Sequence, residues 1–298
     1  MNIRTNILTI FVLLFLTAAG LGQATPQRTP TAAELAALKA ENARIETQNA
    51  GMARALADGN AAFAAKNFAG AIAIFDVAIK DYPGHPALAA LATNASVARR
   101  LEAVEHYNAS VKAPAGTVRE AELQLFREGV ADADKRARAA VELARDADKN
   151  PRLAGDKTHD QMQKALLARV DAASLIARFV ARSVSEETHQ IFLQYLSYQK
   201  NPVEVRTAWL KLARLYSDTG EFQKAVAIYD HMLREAPDNT EALYYAGFSL
   251  VSLAERPGLV IAAAHLKKFL ALAPATDPNR KDAQDLLDYL SSEGIVPK

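Results

Sequence analysis

Apolar residues recur at helical spacing along most of the chain, and the clearest stretch is Ala55–Pro83. Its pattern predicts two short amphipathic helices that fold back on each other, with Pro83 ending the second helix. Small residues allow two helices to touch, and large apolar residues fill the space beside the contact. The small residues are Gly59, Ala71 and Ala78, and the large ones are Phe63, Phe68 and Phe75.

The same arrangement returns near the C-terminus. There Trp209-x-x-Leu212-Ala213-x-x-Tyr216 is followed by Ala225-x-x-x-Tyr229 and Pro237. Gly59 to Pro83 and Ala213 to Pro237 are both 24 residues apart, and Leu243, Gly247 and Leu250 fall 34 residues after Trp209, Ala213 and Tyr216. This order and period resemble the tetratricopeptide repeat, a helix–turn–helix unit of 34 residues. The resemblance covers residues 52–85 and 203–275.

The resemblance implies an all-α fold of antiparallel helix-pair repeats, a TPR-like α-solenoid with long central helices. The helix at Pro278–Glu293 has one apolar face, which is typical of a terminal cap on such a stack. We divide the chain into a targeting segment (1–24), a linker with an N-terminal heptad helix (25–51), a first repeat with a long helix (52–112), a central region (113–201) and a C-terminal repeat pair with its cap (202–298). The central helices fit either stretched, degenerate repeats or a separate bundle.

Residues 1–24 have the composition of a targeting segment. Arg4 supplies the positive start, Ile7–Leu16 the apolar middle and Gly22-Gln23-Ala24 the small-x-small exit. Cleavage after Ala24 is expected, with Ala19 as a second candidate, and the mature chain is then periplasmic or secreted in a bacterium. The alternative is an uncleaved membrane anchor, although the apolar run is shorter than the roughly 20 residues of a spanning helix.

Thr31 and Glu34 form a capping-box pattern that predicts the start of the first helix. Apolar residues and two asparagines follow at spacings of three and four, as in a coiled-coil seam. One interpretation is self-association through this segment. The other is a lead-in helix that packs its seam on the first repeat. The seam is Leu35, Leu38, Asn42, Ile45, Asn49, Met52 and Leu56.

The central helices are predicted from capping patterns and breaks. Thr117-x-x-Glu120 opens a helix to about Lys149, and Thr158-x-x-Gln161 opens another to about Val184. Asn201-Pro202 starts the C-terminal repeats as cap and first-turn proline. Other expected helices are Pro86–Lys112 and Glu186–Lys200, and Trp209 is expected to be largely buried.

Composition narrows the functional classes. Formal net charge is +1 and no long basic run occurs, which disfavours nucleic-acid binding. The absence of cysteine excludes disulfides, thiolate metal sites and a cysteine nucleophile. The six histidines are scattered without metal-ligand spacing, and no catalytic or phosphate-binding motif is complete. We therefore predict no enzyme activity, no cofactor and no metal.

In tetratricopeptide proteins the first helix of each repeat lines a groove that receives peptides or partner helices. By this resemblance, Arg214, Tyr244 and Phe248 are candidate binding residues, an aromatic pair beside an arginine. The alternative is that Tyr244 and Phe248 pack against neighbouring helices.

A weaker candidate set is Leu56, Asn60 and Phe63. Asn60 matches one element of the carboxylate clamp found in some family members. Leu56 stands where the basic residue belongs and Leu91 where a second asparagine belongs, so the clamp is incomplete.

We expect an exported, non-catalytic scaffold that mediates protein–protein interactions in the bacterial cell envelope. The alternative is an accessory or regulatory subunit of an envelope enzyme or of an outer-membrane export or assembly complex. The expected partners are other proteins or peptides, with no nucleic acid. If the heptad helix self-associates, a homo-oligomer is also expected. Membrane contact is expected only if the targeting segment is uncleaved.

Overall fold

The computed structural model describes residues 31–150 and 155–296, and in these ranges all regular secondary structure is helical. The predicted targeting segment and its predicted cleavage site lie outside the described residues. A π-helical turn, Ile176–Ala181, follows the fifth α-helix. The α-helices are α1 (Ala32–Ala64), α2 (Phe68–Asp81), α3 (Leu88–Lys112), α4 (Thr117–Lys149), α5 (Asp156–Leu175), α6 (Glu186–Ser197), α7 (Pro202–Asp218), α8 (Phe222–Glu235), α9 (Thr240–Leu253), α10 (Arg256–Leu272) and α11 (Arg280–Ser292).

The chain divides into two units, residues 1–47 and 48–298, and α1 contributes to both. In the first unit, the backbone N–H of Thr31 donates to Glu34 Oε2 at 2.7 Å. The backbone N–H of Glu34 donates in return to Thr31 Oγ1 at 3.2 Å. The predicted capping box is therefore confirmed, because both reciprocal bonds are present.

In the second unit each helix packs against the next one along the chain. The pair α3 and α4 shows the direction of packing: His106 contacts Glu122 near the turn, while Ser96 Oγ donates to the carbonyl of Ala133 further along at 2.8 Å. Contacts that separate in this way require antiparallel helices. The predicted all-α stack of antiparallel helix pairs is confirmed.

The first helix pair forms as the small and large residues predict. Gly59, Ala71 and Ala78 are buried where α1 and α2 meet, and Phe75 is fully buried beside them. Lys66 adopts a left-handed φ of 59° between the helices. Next, the side chain of Asn67 caps α2 by accepting from the N–H of Gly70 at 3.0 Å, which satisfies one free donor of the first turn.

The central helices pair in the same manner as the shorter ones. The inner face of α4 consists of buried alanines with Phe126 and Val130. Gly129 lies against Ala103 so closely that an added β-carbon would be 2.6 Å from that methyl group. Small residues thus let the long helices α3 and α4 approach closely.

Three local predictions in this region need correction. Thr117 and Thr158 are not N-caps: Gly116 and Gly155 take those positions, and Thr158 lies inside α5. The helix predicted to reach Val184 ends earlier, through the π-helical turn and Arg182 with a left-handed φ of 57°. A threonine caps a helix only when its own backbone is non-helical. At both sites a glycine earlier in the chain is the N-cap, so each threonine already has helical backbone.

The C-terminal helices α7 to α11 each pack against the next one along the chain. Asn201 caps α7, as predicted, by accepting from the N–H of Val203 at 2.9 Å. Trp209 is only partly buried, against the core that includes Tyr229, so its predicted burial is met in part. The last helix, α11, buries Ala283 and Leu290 and keeps Tyr289 54% exposed. One face of α11 therefore covers the core and the other meets water.

Candidate functional site

The first helices of successive pairs, α1, α3, α5, α7 and α9, are joined by side-chain contacts in the second unit. Asn94 of α3 donates through Nδ2 to Asn60 Oδ1 of α1 at 3.1 Å. Asp171 of α5 pairs with Lys211 of α7. These contacts define a common face, here called the first-helix face. Its other contacts are Arg100 with Asp171 and Arg214 with Glu241.

A cleft of about 490 Å³ opens on the first-helix face between α7, α9 and the segment before α11. Arg214 of α7, Tyr245 of α9, and Asp277 and Asn279 of the segment before α11 line it. Thr240, Glu241, Phe269 and Pro278 complete the lining. The cleft is mainly polar, with an aromatic wall.

Arg214 and Tyr245 form the centre of this cleft. The guanidinium carbon of Arg214 lies 4.7 Å from the Tyr245 ring centroid, within the range of a cation–π contact. Nη1 of Arg214 donates to Glu241 Oε1 at 3.0 Å. The arginine is held from two sides while its side chain stays 46% exposed. It is therefore pre-positioned at the surface.

Electrostatics in the cleft follow from burial and from these two charges. Burial is the largest influence on the Tyr245 hydroxyl and raises its pKa. The positive charge of Arg214 lowers that pKa and the carboxylate of Glu241 raises it, with a net upward shift. Tyr245 therefore acts as a neutral hydroxyl and aromatic surface at neutral pH.

Tyr244 occupies a different place from the one expected. Only 7% of its surface is exposed, because its ring packs against Tyr245 and Phe269. Its hydroxyl donates to Asp282 Oδ2 of α11 at 2.5 Å. Tyr244 therefore packs against neighbouring helices, which was the alternative interpretation of this residue. Tyr245 is the aromatic residue of α9 that lines the cleft.

Phe248 is partly buried and its ring lies 6.3 Å from that of Phe222 in an edge-to-face arrangement. The expected aromatic pair of Tyr244 and Phe248 therefore does not form a joint exposed surface. The sequence signal that could have identified Tyr245 is its place beside Glu241, one turn earlier on the helix that faces Arg214.

The three residues of the weaker candidate set do not share one role in the structure. Leu56 and Phe63 pack against the core of the first pair, and Phe63 meets Phe68 edge-to-face at 5.5 Å. Asn60 is exposed and bonded to Asn94, which lies 34 residues later. Leu91, the position where the clamp pattern places a second asparagine, is fully buried. The 34-residue period points directly to Asn94, which sequence reasoning missed.

A second concavity, about 450 Å³, lies between α1 and α2 and is mostly apolar. Ala55, Ile74 and Val77 line it, with Arg54 and Asp81 at its edge. Polar groups that converge on a ligand distinguish a recognition site from a simple groove between helices. By that criterion the cleft of Arg214 and Tyr245 is the better candidate.

In residues 31–150 and 155–296, no group of three or more histidine, aspartate or glutamate side chains is arranged to hold a metal ion. None of the helices in these ranges combines the length and the apolar character needed to cross a membrane.

Comparison with known proteins supports the repeat at the cleft. The family model described as tetratricopeptide repeat matches residues 206–248, which contain α8 and most of α7 and α9. Both Arg214 and Tyr245 lie in the segment that matches this repeat.

The other comparisons add less. A solved structure titled TPR2AB-domain:pHSP90-complex of yeast Sti1 is 17% identical to the chain, with 82% of this chain and 87% of that chain covered and a TM-score of 0.30. No curated protein matches the sequence.

Proposed function

We propose that the protein is an exported scaffold of the bacterial cell envelope that binds a segment of another protein and catalyses no reaction. The observation that carries the proposal is the cleft on the first-helix face, where Arg214 is held over Tyr245 inside the tetratricopeptide repeat. Arginine and tyrosine are enriched in the residues that dominate binding energy at protein interfaces.

The chemistry of the cleft suits a peptide segment. Arg214 can hydrogen-bond a backbone carbonyl or a carboxylate of the partner, and the Tyr245 ring can pack against an apolar side chain. Because Glu241 and Tyr245 already hold Arg214, little side-chain entropy is lost when a partner binds.

The test is capture of a partner from envelope extract by the wild-type protein and by the double variant Arg214→Ala/Tyr245→Ala. A matched control is Lys267→Ala, an exposed position on α10 away from the cleft. We expect one or more proteins to be captured by the wild type and the control and lost from the double variant. Equal capture by all three, with equal helicity by circular dichroism, would exclude the cleft as the binding site.

The captured partner then allows a direct measurement. Calorimetry with the purified partner should show weaker binding to each single variant, by about 1 kcal/mol or more if the residue dominates the interface. If a small molecule stabilises the fold and no protein is captured, the scaffold proposal fails.

Export rests on residues 1–24 alone and has its own test. Osmotic-shock fractionation and N-terminal sequencing of the expressed chain should yield a soluble envelope protein that begins at Thr25. The variant Leu13→Arg/Leu14→Arg interrupts the apolar segment and should leave the chain in the cytoplasm. An uncut chain in the membrane fraction would instead support the anchor.

A further inference from the structure

We propose that the N-terminal part of α1 pairs with the same segment of a second copy of the chain, as a parallel two-stranded coiled coil. The contact surface is the N-terminal seam, defined as Leu35, Leu38, Asn42 and Ile45. This inference is independent of the binding function proposed for the cleft.

The first observation is the exposure of the N-terminal seam. Leu35, Leu38 and Ile45 keep 48%, 47% and 38% of their surface exposed, although they recur at the spacing of a packed helix face. Further along the same helix, Met52 continues the spacing and is 2% exposed in the core of the first helix pair. One half of the pattern is thus buried within the chain, and the other half presents apolar residues to water.

The part of α1 that carries the N-terminal seam gains stability from a partner. Most helical stability in proteins comes from the packing of an apolar face against a neighbour. The apolar side chains of the seam would be removed from water if a second helix covered them. The structure therefore points to a helical partner of matching spacing.

Asn42 indicates that the partner is a second copy in the same direction. Asn42 precedes Ile45 by three residues and follows Leu38 by four, which is an a position in heptad notation. In a parallel pair, Asn42 meets Asn42 of the partner subunit, and the two amides can hydrogen-bond each other. Against an apolar surface, or in an antiparallel pair, the amide would face leucine and lose its hydrogen bonds.

The flanking charges set the strength of the pairing. In a parallel pair, Lys39 lies near Glu34 of the other copy, which is favourable, and Glu41 lies near Glu46 of the other copy, which is not. Arg44 donates to Glu41 on the same helix at 2.8 and 2.5 Å, which reduces that repulsion. A seam of only four positions with one repulsive pair on each side predicts a weak dimer whose population depends on concentration.

The first experiment is sedimentation equilibrium of the full chain, expressed with its own N-terminal segment, over a range of concentrations. We expect a monomer–dimer equilibrium in the wild type and a dissociation constant at least about tenfold higher for Leu38→Asp, because two carboxylates would face each other in the seam. Ala43→Asp, on the exposed outer side of α1, is the matched control and should dimerise like the wild type. Both positions are exposed, so folding should be retained, which circular dichroism checks.

The second experiment separates the directions of pairing. In a parallel dimer, Glu46→Lys turns the repulsive pair of Glu41 and Glu46 into a favourable pair of glutamate and lysine. The dissociation constant should then fall about fivefold. In an antiparallel dimer this position faces no charge of the seam, and the constant should not change.

Cysteine cross-linking gives an independent readout, because the chain contains no cysteine. Leu38→Cys should form a disulfide dimer rapidly under mild oxidation, whereas Ala40→Cys on the outer side should not. Any of four results would overturn the proposal. The protein could be a monomer at every concentration, or a dimer that Leu38→Asp does not affect. The dimer could be abolished only by Val77→Glu in the α1–α2 groove, or the two cysteine variants could cross-link equally.

Discussion

The ring of Phe75 fills the space in which a β-carbon on residue 59 would lie. A β-carbon added to Gly59 would be 2.2 Å from Cε1 of Phe75 and less than 3 Å from two further ring atoms. Phe75 is fully buried, so its ring cannot swing out into solvent. The first helix pair therefore depends on glycine at this crossing for steric reasons.

Gly59→Ala should destabilise the second unit. Overpacking a core typically costs about 1–3 kcal/mol, against a gain of up to about 1 kcal/mol from the better helix propensity of alanine. Urea denaturation should show a lower midpoint than in the wild type. The control is Gly258→Ala in α10, where the nearest atom, Cδ2 of Leu250, is 3.3 Å away on a flexible side chain. If both variants behave alike, the close contact with Phe75 does not limit stability.

Arg136 ties α4 to α2 and should not be replaceable by lysine. Nη1 and Nη2 of Arg136 donate to the two carboxylate oxygens of Asp76 at 2.5 and 3.1 Å, and Nε donates to Asp132 at 2.9 Å. Burial alone would lower the pKa of Arg136, but the hydrogen bonds to both carboxylates outweigh it and raise that pKa.

Arg136→Lys keeps the charge and loses the fork geometry, so unfolding free energy should fall by about 1 kcal/mol. Arg145→Lys is the comparison, because Arg145 pairs within its own helix with the exposed carboxylate of Glu142, one turn earlier. We expect little change there. Equal losses in urea denaturation would mean that the inter-helix fork adds nothing measurable.

Tyr244→Phe tests the attachment of the terminal helix α11. The variant keeps the packed ring and removes the hydroxyl that donates to Asp282. Hydrogen bonds to charged groups contribute about 1.5–3 kcal/mol, so stability should fall by an amount of that order. The rate of backbone amide hydrogen exchange in α11 should increase. Tyr289→Phe, which removes an exposed hydroxyl on α11, should change neither quantity.

His265 should make the protein less stable in mild acid. Burial lowers the pKa of His265 below its usual value, with Lys268 adding to that effect and Asp230 opposing it, and Nε2 is buried without a hydrogen-bond partner. The unfolded state therefore takes up a proton at higher pH than the folded state. The stabilisation is complete above the unfolded pKa of about 6.5 and is lost as pH falls through the lower folded value.

The measurement is the urea midpoint at pH 7.5 and at pH 5.5. His265→Gln, which cannot titrate, should show a smaller loss between the two than the wild type. His231→Gln is the control, since His231 is 43% exposed on its side chain. An identical pH dependence in wild type and His265→Gln would contradict this role.

Much of the fold was predictable because its determinants are local. Helix α3 was expected from residue 86 to 112 and is found from Leu88 to Lys112, and α11 was expected from 278 to 293 and is found from Arg280 to Ser292. Pro83 and Pro237 each follow the end of a helix, because proline lacks the backbone N–H that would continue the helical hydrogen bonds. Cap residues were less predictable at Thr117 and Thr158, because capping depends on the backbone conformation of one residue.

The candidate site was predictable only in part. Arg214 was identified, but Tyr244 was chosen instead of Tyr245. Adjacent residues on a helix point about 100° apart, and which of the two faces a cleft depends on where the neighbouring helices lie. Here Asp282 of α11 binds the Tyr244 hydroxyl, and Arg214 of α7 covers Tyr245.

The sequence by itself determined that this chain forms helices, where most of them end, and that helix pairs recur with a 34-residue period near the C-terminus. Periodicity and helix breakers act within a few residues, so no tertiary information is needed to read them. Tertiary structure decided which side chains remain at the surface. The seam that begins at Leu35 is exposed there and buried at Met52, and only the packing of α2 and α3 around Met52 makes the two halves of one sequence pattern different.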